Sequence, residues 1–138
     1  MSKKTAGAKY FWGLGRRKSA IASIKLYLGK GDSLVNQRPL AKYFTALPSF
    51  APPRYLDPFN ATDFKNKYHF SAKIIGGGWQ GQLQALSLAL SRALVKVNAE
   101  HQKPLRLAGL LTVDSRVRQR RMIGTCGKAL RQKQSPKR

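Results

Sequence analysis

The chain of 138 residues has five acidic side chains, one cysteine and no long apolar run, and each shortage excludes a class of function. The acids Asp32, Asp57, Asp63, Glu100 and Asp114 are scattered, so no pair suggests itself for acid–base or metal chemistry. His69 and His101 are isolated, and no nucleophile motif accompanies them. The sequence therefore predicts no catalysis, no metal and no cofactor. A single cysteine, Cys126, rules out an internal disulfide and any cysteine-cluster zinc site, which fits a reducing, cytoplasmic setting. No stretch approaches the roughly 18 apolar residues of a membrane-spanning helix. The opening MSKKTAGAKYFWGLGRR has no apolar h-region, so no secretory signal is expected.

What the chain has instead is positive charge. Lys and Arg number 27, giving a formal net charge of +22. Residues 1–44 carry +9, residues 45–100 only +3, and residues 101–138 +10. A surface shaped for solubility alone mixes signs. Unpaired cations repel one another and oppose compaction, unless phosphates neutralise them. Each neutralised phosphate releases counterions, with a salt slope of about 0.7 to 0.9 per contact. Residues 115–138 hold nine basic residues and no acid, so they cannot pack a core and need a polyanion to lie against. A membrane-surface helix would need Trp, Phe or Leu opposite its charges, and this tail has no such face. Nucleic acid is the expected partner. The hydrophobic fraction of 42% allows one modest core, in a domain of about 90 to 110 residues with an arm.

Along the chain, Tyr10-Phe11-Trp12 begins an apolar strand that Gly13-Leu14-Gly15 is expected to break. Residues 19–28 alternate, with Ala22, Ile24, Leu26 and Leu28 on one side and Ile21, Ser23, Lys25 and Tyr27 on the other, as in a half-buried strand. A turn at Gly29-Lys30-Gly31-Asp32 suggests that Ser33-Leu34-Val35 returns beside it as a hairpin. Pro39 suits the first turn of a helix ending near Tyr43 or Phe44. Residues 45–58 hold four of the seven prolines and predict a loop, followed by a helical turn over residues 63–66. Tyr68, Phe70, Ala72 and Ile74 mark another strand, stopped by Gly76-Gly77-Gly78. Leu83, Leu86, Leu90, Leu94 and Val97 recur at helical steps, with Ala89 and Ala93 widening the stripe and Gln82, Ser91 and Lys96 on the wetter side. A shorter helix is expected from about Pro104 to Gly109.

Three segments carry candidate chemistry. In Gly13-Leu14-Gly15-Arg16-Arg17-Lys18-Ser19 the glycines would let backbone approach a phosphate that Arg16, Arg17 and Lys18 neutralise. It is not the loop of a nucleotide hydrolase, because Arg17 stands where that motif needs Gly before Lys18 and a strand follows. Gly76, Gly77 and Gly78 open the long helix, whose free amides form an anion site, with Trp79 beside them as a packing anchor or a stacking ring. The tail places Arg116, Arg118, Arg120 and Arg121 in alternation and continues with Lys128, Arg131, Lys133, Lys137 and Arg138. Guanidinium groups grip phosphates in pairs and lie flat on bases.

GLGRRKSAIASIKLYLGKG, VNQRPLAKYF, GGGWQGQLQALSLALSRAL and LAGLLTVDSRVRQRR follow in order and end in Lys-Arg. Together they resemble the universal small-subunit ribosomal protein number nine family in its bacterial form. The resemblance spans roughly residues 13–138 and is poor across 45–66. It implies an α+β two-layer domain, a four-stranded sheet packed against helices with a left-handed βαβ crossover, an exception to the usual hand. It implies a basic N-terminal segment over 1–12, a globular domain over 13–112 and an extended basic tail over 113–138. Such a protein sits in the head of the small subunit, on a cytoplasmic or organellar ribosome, beside neighbouring head proteins and away from any membrane. Ribosomal RNA would be held by Arg16, Arg17, Lys18, Gly76, Gly77, Gly78, Arg116, Arg118, Arg120, Arg121, Lys128 and Arg131. Lys137 and Arg138 would reach peptidyl-site transfer RNA. The family tail is denser in cations; here Thr125-Cys126-Gly127 interrupts it and Gln134-Ser135-Pro136 precedes Lys137.

Two rivals remain open at this level. A small-molecule kinase would use the glycine turn for phosphate but needs a metal-binding acid and a base beside it. A DNA-compacting protein would bind duplex DNA as tightly as structured RNA.

Overall fold

The computed structural model describes residues 9–44, 57–62 and 67–120. Strand β1 (Tyr10–Arg17) pairs antiparallel with β2 (Ala20–Leu28), in register from Tyr10↔Tyr27 to Arg17↔Ala20. Strand β3 (Leu34–Val35) and β4 (Arg38–Pro39) form a small hairpin, and α1 (Leu40–Tyr43) and α2 (Asp57–Ala61) follow. Strand β5 (Tyr68–Ile75) inserts between β2 and β3, giving the order β1-β2-β5-β3-β4. It runs antiparallel to β2 and parallel to β3. Helix α3 (Trp79–Val97), a 3-10 turn (Ala99–His101) and α4 (Gln102–Leu107) come next.

Among the described residues, one face of the sheet is covered and the other is open. Ala20, Ala22, Ile24 and Leu26 of β2 and Phe70, Ala72 and Ile74 of β5 are buried, with Leu83, Leu86, Leu90 and Leu94 of α3 in the same core. Full burial of each Ile, Leu or Phe side chain here contributes about 1.5 to 3 kcal/mol. The alternation in β2 and β5 and the leucine stripe in α3 thus lie as their periods predict, except that Leu28 at the end of β2 is exposed.

Several expectations need correction. The sheet has five strands, not four, because the Asn36-Gln37 turn folds Arg38–Pro39 back onto β3 as an added edge. Residues 33–35 do not form a hairpin with β2. Strand β5 takes that place, since its eight alternating residues match β2 along their common length, whereas β3 offers two. Gly13 and Gly15 do not break β1; the strand runs through both. Ser91 is buried, not wet: its Oγ donates to the carbonyl of Ser87 at 2.9 Å, so the helix itself satisfies the hydroxyl. A helical turn forms at Asp57–Ala61, with Pro58 in its first turn where a missing N–H costs nothing. The turn expected over residues 63–66 lies outside the described residues, as do Pro48, Pro52 and Pro53.

Candidate nucleic-acid interface

Helix α3 rests on β1 more closely than side chains would allow. A Cβ at Gly13 would collide with the carbonyl oxygen of Ala89, and one at Gly15 with that of Ala85. Ala85, Ala89 and Ala93 form the small-residue stripe that meets the two glycines, and all three are buried. These glycines therefore serve helix-on-sheet packing; they face protein backbone and not a phosphate. The signal was present in the sequence: two glycines on one side of a strand, and alanines at four-residue steps in a helix.

The second glycine cluster lies differently. The β1–β2 turn is made by Lys18 and Ser19, with Lys18 in the left-handed region at φ 52°. Gly76 and Gly77 are also left-handed, at φ 73° and 66°. They lie directly against that turn: a Cβ on Gly76 would sit 2.7 Å from the carbonyl oxygen of Ser19, and one on Gly77 2.8 Å from Cβ of Ala20. Two segments far apart in sequence thus meet at one end of the sheet. Lys18, Ser19, Gly77, Gly78, Trp79 and Gln80 line a depression of about 190 Å³ there. It opens at the start of α3, where Gly78 provides no side-chain cap and the first turn holds no acid. The first amides of a helix lack intrahelical acceptors, so this mouth favours an anion. Trp79 stands at its rim, 38% exposed.

A chain of hydrogen bonds fixes this turn. Gln82 Nε2 donates to the carbonyl of Gly76 at 3.0 Å, and Gln82 Oε1 accepts from the Tyr43 hydroxyl at 3.1 Å. Asn36 Nδ2 donates to that hydroxyl at 3.3 Å and to the carbonyl of Ile74 at 3.0 Å. Asn36 Oδ1 accepts from the Ile74 N–H at 2.9 Å. The Asn36 amide so acts as one more strand partner for β5, and the β3–β4 turn, α1 and α3 together brace residues 76–78. No local pattern marks Asn36, Tyr43 or Gln82 as a group, because the fold alone brings them together.

Arg16 and Arg17 part company. Arg16 is exposed at the end of β1. Arg17 turns to the helix side, where its Nε donates to Gln84 Oε1 at 2.7 Å and its guanidinium pairs with Asp114. A groove of about 320 Å³ runs past both arginines, Gln84 and Asp114 to the end of α4. Asp114 also bridges in parallel to Arg17 through backbone. Its carboxylate takes Arg116 as well, from Nε at 3.0 Å, Nη2 at 2.8 Å and the backbone N–H at 3.1 Å. The Arg116 and Arg17 hydrogen bonds hold the Asp114 carboxyl well below the usual carboxylate range. The one acid of the last 38 residues therefore ties Arg17 at the end of β1 to Arg116. Arg116, Arg118 and Arg120 beyond it are exposed. Arg121, Lys128, Arg131, Lys137 and Arg138 lie outside the described residues.

Helix α3 also guards the outer edge of β1. Arg92 Nη1 donates to the carbonyl of Leu14 and Lys96 Nζ to that of Trp12, both at 2.8 Å. Among the described residues, no group of His, Cys, Asp and Glu could hold a metal ion, and no helix is long and apolar enough to cross a membrane.

Comparison with known proteins agrees with this basic α+β scaffold. The chain is 41% identical over 113 residues to small ribosomal subunit protein uS9c of Arabidopsis thaliana, covering 81% of this chain and 53% of that protein. It thus spans about half the length of the plant relative. It is 36% identical over 114 residues to small ribosomal subunit protein uS9 of Crocosphaera subtropica, covering 83% of this chain and 82% of that one. With uS9 of Ureaplasma parvum the identity is 41% over 115 residues, 83% of this chain and 85% of the other. The family model described as Ribosomal protein S9/S16 matches residues 15–138, from the second packing glycine through the arm, and the chain belongs to that family.

Proposed function

We propose that this protein docks on the RNA of the small ribosomal subunit through its globular part and reaches peptidyl-site transfer RNA through its arm. The coarser statement follows from its family: a structural constituent of the small ribosomal subunit, part of the translation apparatus and not an enzyme. The ribosome is a cytoplasmic or an organellar one, as its bacterial and plant relatives suggest.

The observation that carries the finer reading is the meeting of Lys18 with residues 76–78 at the uncapped start of α3. A backbone phosphate seated there would meet one cation and several N–H groups at once. Arg16 on the sheet end, and Arg116, Arg118 and Arg120 on the departing arm, extend the same positive surface. Arg17 contributes by holding Asp114, and so the direction of the arm. Arg121, Lys128 and Arg131 continue along ribosomal RNA, and Lys137 and Arg138 meet the transfer RNA. The globular part ends near residue 112 and residues 113–138 act as an extended arm. The same reading gives the connection from β3 to β5 a left-handed sense and places the domain beside other proteins of the subunit head.

Deleting residues 134–138 should leave subunit assembly largely intact and weaken peptidyl-site transfer RNA binding. Filter binding by purified mutant subunits measures this, and unchanged affinity would remove the arm's role. Substituting Lys18 with Ala should lower affinity for ribosomal RNA and reduce the slope of log affinity against log salt by about one contact's worth, 0.7 to 0.9.

A further inference from the structure

Among the described residues, Lys25, Ser71 and Lys73 on the sheet face turned away from α3 are exposed, and one part of that face is a hollow. Alternation along β2 and β5 sends Lys25, Tyr27, Ser71 and Lys73 to this side. These residues, with Asn36 and Gln37 of the β3–β4 turn, line a depression of about 560 Å³. That lies within the roughly 300 to 1,000 Å³ of small-ligand sites. None of its lining residues is acidic. Register sets Lys25 opposite Ser71 and Lys73 opposite Ser23, so the lysines are diagonal neighbours. Their Cβ atoms are then somewhat less than about 7 to 8 Å apart, and Lys25 Nζ, which lies 5.0 Å from the centre of the Tyr10 ring, would swing across to share one phosphate with Lys73. Its one aromatic lining residue is Tyr27, which stacks on His69 with ring centres 5.3 Å apart and meets Tyr10 at a tilt with ring centres 6.0 Å apart.

The turn above the hollow is built at a cost. Asn36 and Gln37 both have left-handed backbone, at φ 48° and 65°. A two-residue hairpin of this kind favours Asn followed by Gly, because Gly adopts the second position without strain. Asn36 fits and uses its amide on Ile74. Gln37 gives up the unstrained alternative and sets a long amide at the rim, exposed. Backbone strain at Gln37, placed over an acid-free hollow beside Tyr27, is the pattern of a functional site.

We propose that this hollow holds one unpaired nucleotide of RNA, with its base against Tyr27, its phosphate between Lys25 and Lys73, and the Gln37 amide on a base edge. The inference rests on the RNA-docking reading above and adds to it a site on a different face of the domain. Serines and amides favour a base over an apolar protein segment, and the two lysines favour a phosphate. An intact duplex cannot enter, because its bases are stacked and paired.

The test uses the full chain and a single-stranded RNA oligonucleotide carrying 5-iodouridine. Ultraviolet irradiation should link it to the tryptic peptide that holds Tyr27, residues 26–30 in the natural chain and 19–30 once Lys25 is replaced. Unlabelled single strand should compete about tenfold better than duplex RNA for that link, the scale of one lost base–aromatic stack. The double variant Lys25→Gln/Lys73→Gln should lower this link about tenfold while links to residues 113–138 persist. Gln37→Gly should lower it several-fold and leave the melting temperature equal or higher, which a purely structural role for Gln37 would not give. Links confined to residues 113–138 would overturn the proposal but keep the RNA reading. So would equal competition by duplex, or a Tyr27 link indifferent to these variants. A Tyr27 peptide left unlabelled would likewise overturn the proposal. If the chain neither bound nor linked to any RNA, the docking reading itself would fall.

Discussion

Gly13 and Gly15 in β1 and Gly76 and Gly77 before α3 look alike in sequence, since both pairs border aromatics or cations and both suggest close approach to a phosphate. In the structure they answer different constraints. The first pair has ordinary strand backbone and faces the carbonyls of Ala89 and Ala85, so what is missing is room. The second pair has left-handed backbone as well as close neighbours in Ser19 and Ala20, so the sign of φ is at stake along with room. One pair brings the long helix onto the sheet. The other turns the chain into that helix and leaves its first amides facing outward. Glycine enrichment beside positive charge is thus not a phosphate signal by itself; the residues across the gap decide.

Substitutions can break this comparison. Gly15→Ala should be the most damaging, about 3 kcal/mol or more, since a methyl must enter the backbone of α3 and overpacking alone costs about 1 to 3 kcal/mol. Chemical denaturation of the full chain measures it, and a cost below about 1 kcal/mol would mean that α3 can lift freely. Gly76→Ala should cost about 1 to 2 kcal/mol for left-handed backbone, plus what it takes to move the Ser19 carbonyl that a Cβ would meet at 2.7 Å, and thermal unfolding gives the total. Gly78→Ala should change stability by no more than about 0.5 kcal/mol, because a Cβ there meets nothing within 4 Å. Any loss of RNA affinity in that variant then reports on the site and not on the fold.

The smallest effect concerns the clasp. Asp114 is held below its ordinary carboxylate value by Arg116 and Arg17, so the contact contributes fully above about pH 4 and is lost as pH falls through the depressed value. Carbon-13 titration of the carboxyl should find it still ionised below about pH 4. Asp114→Asn should remove that behaviour and free the arm early, seen as faster tryptic cleavage at Arg116 with the core intact. A carboxyl titrating near its ordinary value, about 4, would mean that the clasp is loose.

The sequence made the covered layer legible because period and burial speak directly: the alternation in β2 and β5 and the leucine steps of α3 each name a buried side. It made less of the sheet order, since β3 is two residues long and nothing local says that β5 will displace it from β2. Lys18 and residues 76–78 were legible one by one, as a cation and as helix-opening glycines. Their meeting depended on the β1–β2 register and on the length of β5. Arg17 was legible as a cation but not as a partner, because Asp114 lies 97 residues away. Ser91 was misplaced by polarity, since the sequence does not show a hydroxyl satisfied by its own helix.

The bonds from Arg92 and Lys96 to the outer carbonyls of β1 have a bearing on the life of the chain before it meets its partner. A bare outer strand is a template on which a second copy can polymerise. Here that template is already occupied by cations from the same molecule, which also repel any incoming copy. A strand added on this side would have to displace those two cations first, and a second copy would bring its own net charge of +22 against them.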